Sequence, residues 1–347
     1  MSSVDDERWT STVSLAGALV WALLAALAGS GRAPFGVVEL LFLFAPLVAV
    51  PLGLALIGTV STPGLTSVEQ AARAAQPLAA LSLLLAFWRG PGTVAGLLAI
   101  PWAMVCGAVA VSGLNGLRTR ISLPTIVGGI ARIDLGVAAA FLLLSRFGIP
   151  LRFQEPIVLL TAVHFHYSGF ATSAIALAGL SFADRSRTHR RSWQLVALAV
   201  AVLPFCLAAG FVISPVLKVV SAVVFSAAVA ALAFLLLLES TDFYSRTARI
   251  FIGMAGASIA TGMALAATYA VGEYLHYNWL TIPRMASTHG WMNALGFAMP
   301  ALLGCLAELR SQKGGLLDSG LSPLRDRRVH RVEIARPRFI ARDFYDL

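Results

Sequence analysis

Two histidines, His164 and His166, stand in the sixth apolar run of the chain. An ionisable side chain is costly inside an apolar helix, so it usually faces the protein interior and performs a function there. Thr161, His164 and Ser168 are spaced three and four residues apart, so they share one helix face and are predicted to line a polar substrate site. His166 points about 200° away from His164 on a regular helix. The pair is therefore a poor bidentate metal site.

The last apolar run contains a second polar group, formed by His289 and Asn293. Residues four apart face the same side of a helix, so Asn293 can orient the imidazole or bind the same ligand. Both residues are predicted to belong to the catalytic site, together with His164 and His166. Trp291 in this run, and Tyr167 in the sixth, are predicted to contact the substrate.

A carboxylate, Asp134, lies near the middle of the fifth apolar run and is a candidate proton donor. A carboxylate in this position must be paired or protonated. Arg132 is close in sequence but points to another side of the helix, which leaves an ion pair or a contact with a histidine of another helix as alternatives. Glu39, at the outer end of the second run, is predicted to line the same polar cavity.

The composition indicates which environment surrounds these residues. The chain has 347 residues, of which 58% are hydrophobic and 12% are charged, and its mean hydropathy is +0.80. Soluble domains carry about 25% charged residues, so lipid must cover most helix faces here. The sequence therefore predicts an all-α, polytopic transmembrane helical bundle of about ten spans. The third apolar run, residues 77–88, is short for the roughly 20 residues that a span needs, which leaves a re-entrant segment and nine spans as an alternative.

The distribution of arginine predicts the orientation, because cytoplasmic loops are enriched in basic residues. The denser basic set lies between alternate runs and places both termini in the cytoplasm; it includes Arg73, Arg118, Arg185, Arg190, Arg191, Arg246 and Arg249. We expect a transmembrane domain over residues 1–310 and a basic cytoplasmic tail over 311–347. The net charge of +9 is attributed to these loops and to anionic membrane lipids, with no nucleic acid partner.

The segments HFHYSGF (164–170) and HGWMNALGF (289–297) together resemble the paired signatures of YndJ-like bacterial membrane proteins. The resemblance implies a multi-pass protein of the bacterial cell membrane, in which His164, His166, His289 and Asn293 are important. It implies no reaction. Longer relatives look as though they carry an added soluble domain, which we do not expect in this chain.

The leading interpretation is a membrane-embedded enzyme that isomerises, cyclises or opens an epoxide in a lipophilic small molecule. Asp134 or a histidinium is the predicted acid, a neutral His164 or His289 the base, and Asn293 the orienting group. The chain has no Walker, Rossmann or HExxH pattern, so we expect no cofactor.

Two other functions remain open. The same residues suit a proton-coupled transporter or export permease, since intramembrane ionisable groups form such sites. The three histidines His164, His166 and His289 also suggest a haem- or metal-binding redox protein. Against a haem site, His289 is expected to lie nearer the membrane surface than His164. The sequence gives no indication of oligomeric state.

Overall fold

The computed structural model describes residues 3–61, 65–119, 121–149, 153–186, 189–277 and 280–318. All regular structure within these ranges is helical, which confirms the predicted all-α bundle. The ten helices are α1 (Ser3–Gly29), α2 (Val37–Val60), α3 (Ser67–Trp88), α4 (Thr93–Thr119), α5 (Leu123–Phe147), α6 (157–186), α7 (Arg190–Ile213), α8 (Pro215–Ser240), α9 (Arg246–Tyr274) and α10 (282–318).

Nine of the described helices, all except α6, are long and apolar enough to cross a membrane. Helix α6 contains the segment with His164 and His166, which makes it more polar than its neighbours. It is nevertheless one of the most enclosed helices, because α2, α5, α7 and α10 all pack against it. The chain is therefore a multi-pass membrane protein whose most polar helix lies inside the bundle.

The third helix is longer than the sequence predicted. Helix α3 begins at Ser67 instead of residue 77, so the expectation of a short or re-entrant segment is wrong. A capping box starts this helix: the Thr66 hydroxyl accepts a hydrogen bond from the Glu69 amide, and the Glu69 carboxylate accepts one from the Thr66 amide. Glu69, Arg73 and Gln76 in the first half of α3 are all buried, so this polar half lies within the bundle.

Consecutive helices pack side by side in two groups, α3–α5 and α7–α10, while α2 and α6 form the centre. Helix α2 is buried along nearly all of its length, and α1 is mostly exposed. Glu7 of α1 lies 3.7 Å from Arg310 of α10, so the described ends of the chain meet at one end of the bundle. We call this the terminal end and the opposite one the far end. The predicted domain boundary at 310 falls inside α10, and residues 319–347 of the predicted tail lie outside the described residues.

Three helices contain π-helical segments, which are Ala45–Ala49 in α2, Phe165–Ala171 in α6, and Ala286–Gly290 and Met292–Ala298 in α10. In α2 the cause is visible in the sequence, since Pro46 and Pro51 lack the amide hydrogens that a regular helix needs. The carbonyl of Pro46 instead accepts a 2.5 Å hydrogen bond from Gln76 of α3. The segment of α6 contacts those of α2 and α10, so the irregular backbone is concentrated at the centre of the bundle.

Candidate functional site

One face of α6 forms an accessible polar stripe in the far half of the bundle. Thr161 and Ser168 are partly buried, and His164 between them is exposed. His164 is the exposed member of this stripe, so a bound molecule can reach its imidazole. Its Nδ1 donates a 2.8 Å hydrogen bond to the Leu160 carbonyl. In this tautomer the lone pair is on Nε2, which is the atom available to a bound molecule.

The His289 imidazole is held by contacts at both ring nitrogens. Its Nδ1 donates a 2.8 Å hydrogen bond to the carbonyl of Gly262 in α9. Its Nε2 accepts a 2.7 Å hydrogen bond from the Asn293 amide nitrogen. The amide oxygen of Asn293 is buried and has no hydrogen-bond partner among the described residues. These contacts fix the ring in a neutral tautomer.

His164 immediately precedes the π-helical segment Phe165–Ala171 of α6, and His289 lies in the segment Ala286–Gly290 of α10. The segment Phe165–Ala171 packs against Met292–Ala298, the second π-helical segment of α10. The helix segments that carry His164 and His289 both pack against the first half of α2. π-helical turns inside α-helices are frequent at functional sites, because they redirect side chains and free backbone groups. We call His164, His289 and Asn293 the histidine site.

His166 does not belong to the histidine site. Its side chain is fully buried, in an edge contact with Phe42 at 5.1 Å and stacked on Trp102 at 6.1 Å, measured between ring centroids. Its Nδ1 donates to the Ala162 carbonyl at 2.8 Å, and its Nε2 has no partner among the described residues. The HxH pair is thus divided between an accessible and a closed environment, as the spacing on a helix requires.

Tyr167 is also turned away from the accessible stripe. Its hydroxyl donates a 2.8 Å hydrogen bond to the carbonyl of Leu41 in α2, and the side chain is buried. This bond joins the two central helices. The structure therefore gives Tyr167 a contact between helices and does not bring it to His164 as a substrate ligand.

Asp134 lies against the π-helical segment of α6, where Gly169 makes room for it. A Cβ atom added at Gly169 would lie 2.6 Å from the Asp134 carboxyl carbon. The carboxyl is fully buried, and neither of its oxygens has a hydrogen-bond partner among the described residues. The expected pairing of Asp134 with Arg132 or with a histidine of another helix is therefore not present.

Arg132 instead forms a buried ion pair that sequence reasoning missed. Its Nε lies 2.5 Å from a Glu69 carboxylate oxygen of α3, and its guanidinium also donates to the Gly128 carbonyl at 3.0 Å. The pair lines a cavity of about 250 Å³ toward the terminal end, together with Ser112 and Thr125. The capping-box pattern Thr66-Ser-Val-Glu69 was the signal that could have placed this carboxylate in a helix.

The remaining two predicted site residues lie outside the histidine site. Trp291 is partly buried and makes an edge contact with Trp21 of α1, with ring centroids 5.7 Å apart. Glu39 is partly buried at the start of α2, where its carboxylate lies beside Gly36. No hydrogen bond joins either of them to His164 or His289 in the part of the chain that the structure describes.

Comparison with known proteins identifies the family. The model described as YndJ-like protein matches residues 40–297, which is well over half of the chain and includes both histidine-containing segments. The chain belongs to the YndJ-like family. The uncharacterized membrane protein YndJ of Bacillus subtilis (strain 168) is 33% identical over 167 residues, which are 48% of this chain and 28% of that relative. The chain thus covers less than a third of this relative's length. No solved structure matches.

The arrangement of histidines in this YndJ-like chain bears on metal binding. His164 and His289 lie on segments that both pack against the first half of α2, but His166 points into the aromatic cluster of Phe42 and Trp102. Among the described residues, no three His, Cys, Asp or Glu side chains lie close enough to hold a metal ion. The chemistry that the histidine site itself supports is transfer of a proton through imidazole nitrogens.

Proposed function

We propose that this YndJ-like protein is a membrane-embedded enzyme that transfers protons on a lipophilic small molecule in the bacterial cell membrane. The observation that carries the proposal is the pairing of an accessible imidazole, His164, with a positioned imidazole, His289, on two helix segments that both pack against the first half of α2. Two imidazoles near one substrate can exchange the roles of acid and base near neutral pH. Isomerisation, cyclisation and epoxide opening need only such steps.

In this proposal His164 is the general base, because its Nε2 has the lone pair and borders the accessible space. His289 transfers the second proton, and Asn293 is the hydrogen-bond partner of its ring. The Asn293 amide nitrogen donates to the neutral His289 ring, whereas its amide oxygen has no partner. A flip of the amide presents that oxygen to a protonated Nε2, so Asn293 can stabilise both protonation states.

The substrate class follows from the surroundings of the histidine site. Apart from α6 itself, the helices that form and surround the site are apolar enough to cross a membrane, so a lipophilic molecule can reach it from the bilayer. Thr161 and Ser168 offer hydroxyl groups along the same face of α6. The reaction belongs to a biosynthetic step on such a molecule, needs no cofactor, and takes place with both chain termini in the cytoplasm.

The test compares lipid extracts of membranes that contain the wild-type protein with extracts containing His164→Ala or His289→Ala. The proposal predicts a lipophilic product in the wild-type extract that both variants lose, while each variant keeps its melting temperature in detergent. Mass spectrometry and chromatographic retention report the product. Full activity of both variants would refute the enzyme.

A matched glycine pair sharpens this test. A Cβ at Gly262 would lie 3.1 Å from the Asn293 amide oxygen and 4.0 Å from His289 Nδ1, whereas a Cβ at Gly253 in the same helix meets nothing within 4 Å. Gly262→Ala should therefore reduce product formation about tenfold or more, since small displacements of catalytic groups are costly. Gly253→Ala should retain activity.

A proton-coupled transporter is the second candidate, and one observation favours it. Polar groups follow one another along α5 and α6 from the far half toward the terminal end: His164 on α6, then Asp134 beside Gly169, then the cavity of the Glu69–Arg132 pair. A buried carboxyl between two accessible regions is typical of proton relays. Substrate uptake driven by a pH gradient in reconstituted vesicles, with no chemical conversion, would select this function over the enzyme.

A further inference from the structure

The cavity that contains the Glu69–Arg132 pair is rich in groups that form hydrogen bonds. It has a volume of about 250 Å³ and lies between the ends of α2 and α4 and the beginnings of α3 and α5. Five hydroxyl side chains belong to its described lining, those of Ser61, Thr66, Ser112, Ser122 and Thr125. Thr66 and Pro124 are exposed, so the cavity opens at the terminal end. We call it the hydroxyl pocket.

The floor of the hydroxyl pocket holds a buried guanidinium whose hydrogen-bonding capacity is only partly used. The Arg132 side chain is 11% exposed and carries five N–H groups. Its Nε donates to the Glu69 carboxylate at 2.5 Å, and its Nη1 donates to the Gly128 carbonyl at 3.0 Å. Among the described residues, no group accepts a hydrogen bond from Nη2. Arg132 therefore offers N–H donors to a molecule in the pocket.

Ser112 supplies an acceptor in the same pocket. Its side chain is buried in the wall that α4 forms. The Ser112 hydroxyl lies 3.1 Å from the Thr66 hydroxyl, and the Thr66 hydroxyl donates its own proton to the Glu69 carboxylate at 2.9 Å. Ser112 is therefore the donor to Thr66, and the lone pairs of its oxygen stay available to a ligand.

The charges of the hydroxyl pocket compensate each other within the lining. Glu69 and Arg132 are the charged residues of the described lining, and they form an ion pair. A charged ligand would meet a like charge in a partly enclosed space that screens charges poorly. An uncharged ligand leaves the pair undisturbed. Val60, Pro124 and Leu177 add apolar surfaces, against which C–H groups can pack.

We propose that the hydroxyl pocket binds an uncharged polyhydroxy group, such as a single sugar ring or a small polyol. Its hydroxyl groups both donate and accept hydrogen bonds, which matches Arg132 and Ser112. The pocket is smaller than the roughly 300–1,000 Å³ of cavities that enclose drug-sized ligands, which limits the ligand to a small group. The group comes from a free sugar in the aqueous phase or from the uncharged headgroup of a glycolipid. This site is separate from the histidine site, and its occupancy does not depend on the function proposed above.

The experiment uses the full chain purified in an uncharged polyoxyethylene detergent, which has no sugar headgroup, and it has two arms. In the first arm, saturation-transfer NMR measures binding of glucose, gluconate and glucosamine, which differ in charge but little in size. In the second arm, native mass spectrometry measures binding of monoglucosyl-diacylglycerol, with diacylglycerol as the reference. We expect glucose to bind more tightly than either charged compound, because only glucose avoids a like charge in the pocket.

Two glycines of α4 provide the decisive variant and its matched control. Gly116 lines the pocket, and a Cβ added there meets nothing within 4 Å. Gly107 has the same open space but lies outside the described lining. Gly116→Leu should therefore fill part of the pocket and abolish binding, whereas Gly107→Leu should leave binding unchanged. Both variants should remain folded, since leucine favours a helix more than glycine does, and their melting temperatures check this.

A serine pair tests the hydrogen bond to the ligand. Ser112→Ala should weaken binding about three- to tenfold, the usual effect of losing one hydrogen bond. Ser181→Ala is its control, because this partly buried hydroxyl donates to a carbonyl of its own helix. Binding in the first arm alone identifies a free sugar, and binding in the second alone identifies a glycolipid. Absence of saturable binding in both arms, tighter binding of gluconate or glucosamine than of glucose, or an equal loss in the two leucine variants would overturn the proposal.

Discussion

At the residue scale, two carboxyl groups are fully buried in this bundle, and they differ in whether a partner compensates them. Glu69 is fully buried and pairs with Arg132 at 2.5 Å. Asp134 is equally buried, but its oxygens have no hydrogen-bond partner among the described residues. Breaking a buried ion pair leaves a charge without compensation, whereas replacing an unpartnered carboxyl with an amide removes no bond.

We therefore predict that Glu69→Gln lowers the free energy of unfolding by about 3–5 kcal/mol, the usual cost of removing one partner of a buried pair. Asp134→Asn should keep or raise the stability, since the amide has nearly the same shape and no charge to desolvate. Thermal unfolding of both variants in one detergent measures the difference. An equal loss of stability in the two variants would show that Asp134 has a strong partner.

Sequence spacing was sufficient for contacts within one helix and insufficient for contacts between helices. The four-residue interval between His289 and Asn293 led us to expect the side chains to meet, and a hydrogen bond joins them. The carbonyl of Gly262 that holds the other ring nitrogen comes from α9, and no pattern in the sequence indicates which helix packs there. The partner of Arg132 was missed for the same reason. The catalytic roles of these residues stay predictions.

At the element scale, the π-helical segments explain how a polar site fits within an apolar bundle. Where the segment of α6 begins, the accessible His164 and the buried His166 lie on opposite sides of one helix. Its end is marked by Thr172, whose hydroxyl donates to the carbonyl of Tyr167 five residues earlier. The close approach of α5 to this segment depends on Gly169, because Asp134 occupies the space that a Cβ would take.

Substitution of Gly169 with alanine should separate α5 from α6 and destabilise the protein by about 1–3 kcal/mol, as overpacking of a core does. Gly107→Ala in α4 is the control, since a Cβ there meets nothing within 4 Å. Thermal unfolding in detergent measures both. Adding Asp134→Ala to Gly169→Ala should recover most of the loss, because it removes the clashing carboxyl. No recovery in the double variant would mean that the segment is sensitive to alanine for another reason.

The sequence predicts helix boundaries where the whole helix is apolar, because the apolar run then has the same ends as the helix. Helices α2 and α4 coincide with the second and fourth apolar runs of the sequence. Helix α3 differs, because Glu69, Arg73 and Gln76 form buried contacts that hydropathy counts as unfavourable. The π-helical segments were not predicted, because only the segment of α2 has a visible sequence signal, its two prolines. The packing of neighbouring helices determines where the other segments form.

At the scale of the whole molecule, the ion contact between Glu7 and Arg310 places the described ends of the chain on one side of the bundle. The proposed orientation puts this terminal end in the cytoplasm, in agreement with the dense arginines of the loops there. Thr241 and Asp242 lie in the connection between α8 and α9 at the terminal end, and Ser30 follows α1 at the far end.

We expect a membrane-impermeant maleimide to label Ser30→Cys in intact cells and to label Thr241→Cys only after the cells are opened. Both positions are exposed in the structure. The background lacks the native cysteines Cys106, Cys206 and Cys305, which are replaced with alanine. The reverse labelling pattern would place the termini outside the cytoplasm.

The central claim is that His164 and His289 face one another across a single space while His166 faces away. Cross-linking with a short bifunctional thiol reagent tests it most directly. In the same cysteine-free background, the account predicts efficient bridging of the His164→Cys/His289→Cys variant, detected by mass spectrometry of the intact protein. The matched His166→Cys/His289→Cys variant should remain unbridged, because Phe42 and Trp102 enclose position 166. Bridging of the second variant but not the first would contradict the account.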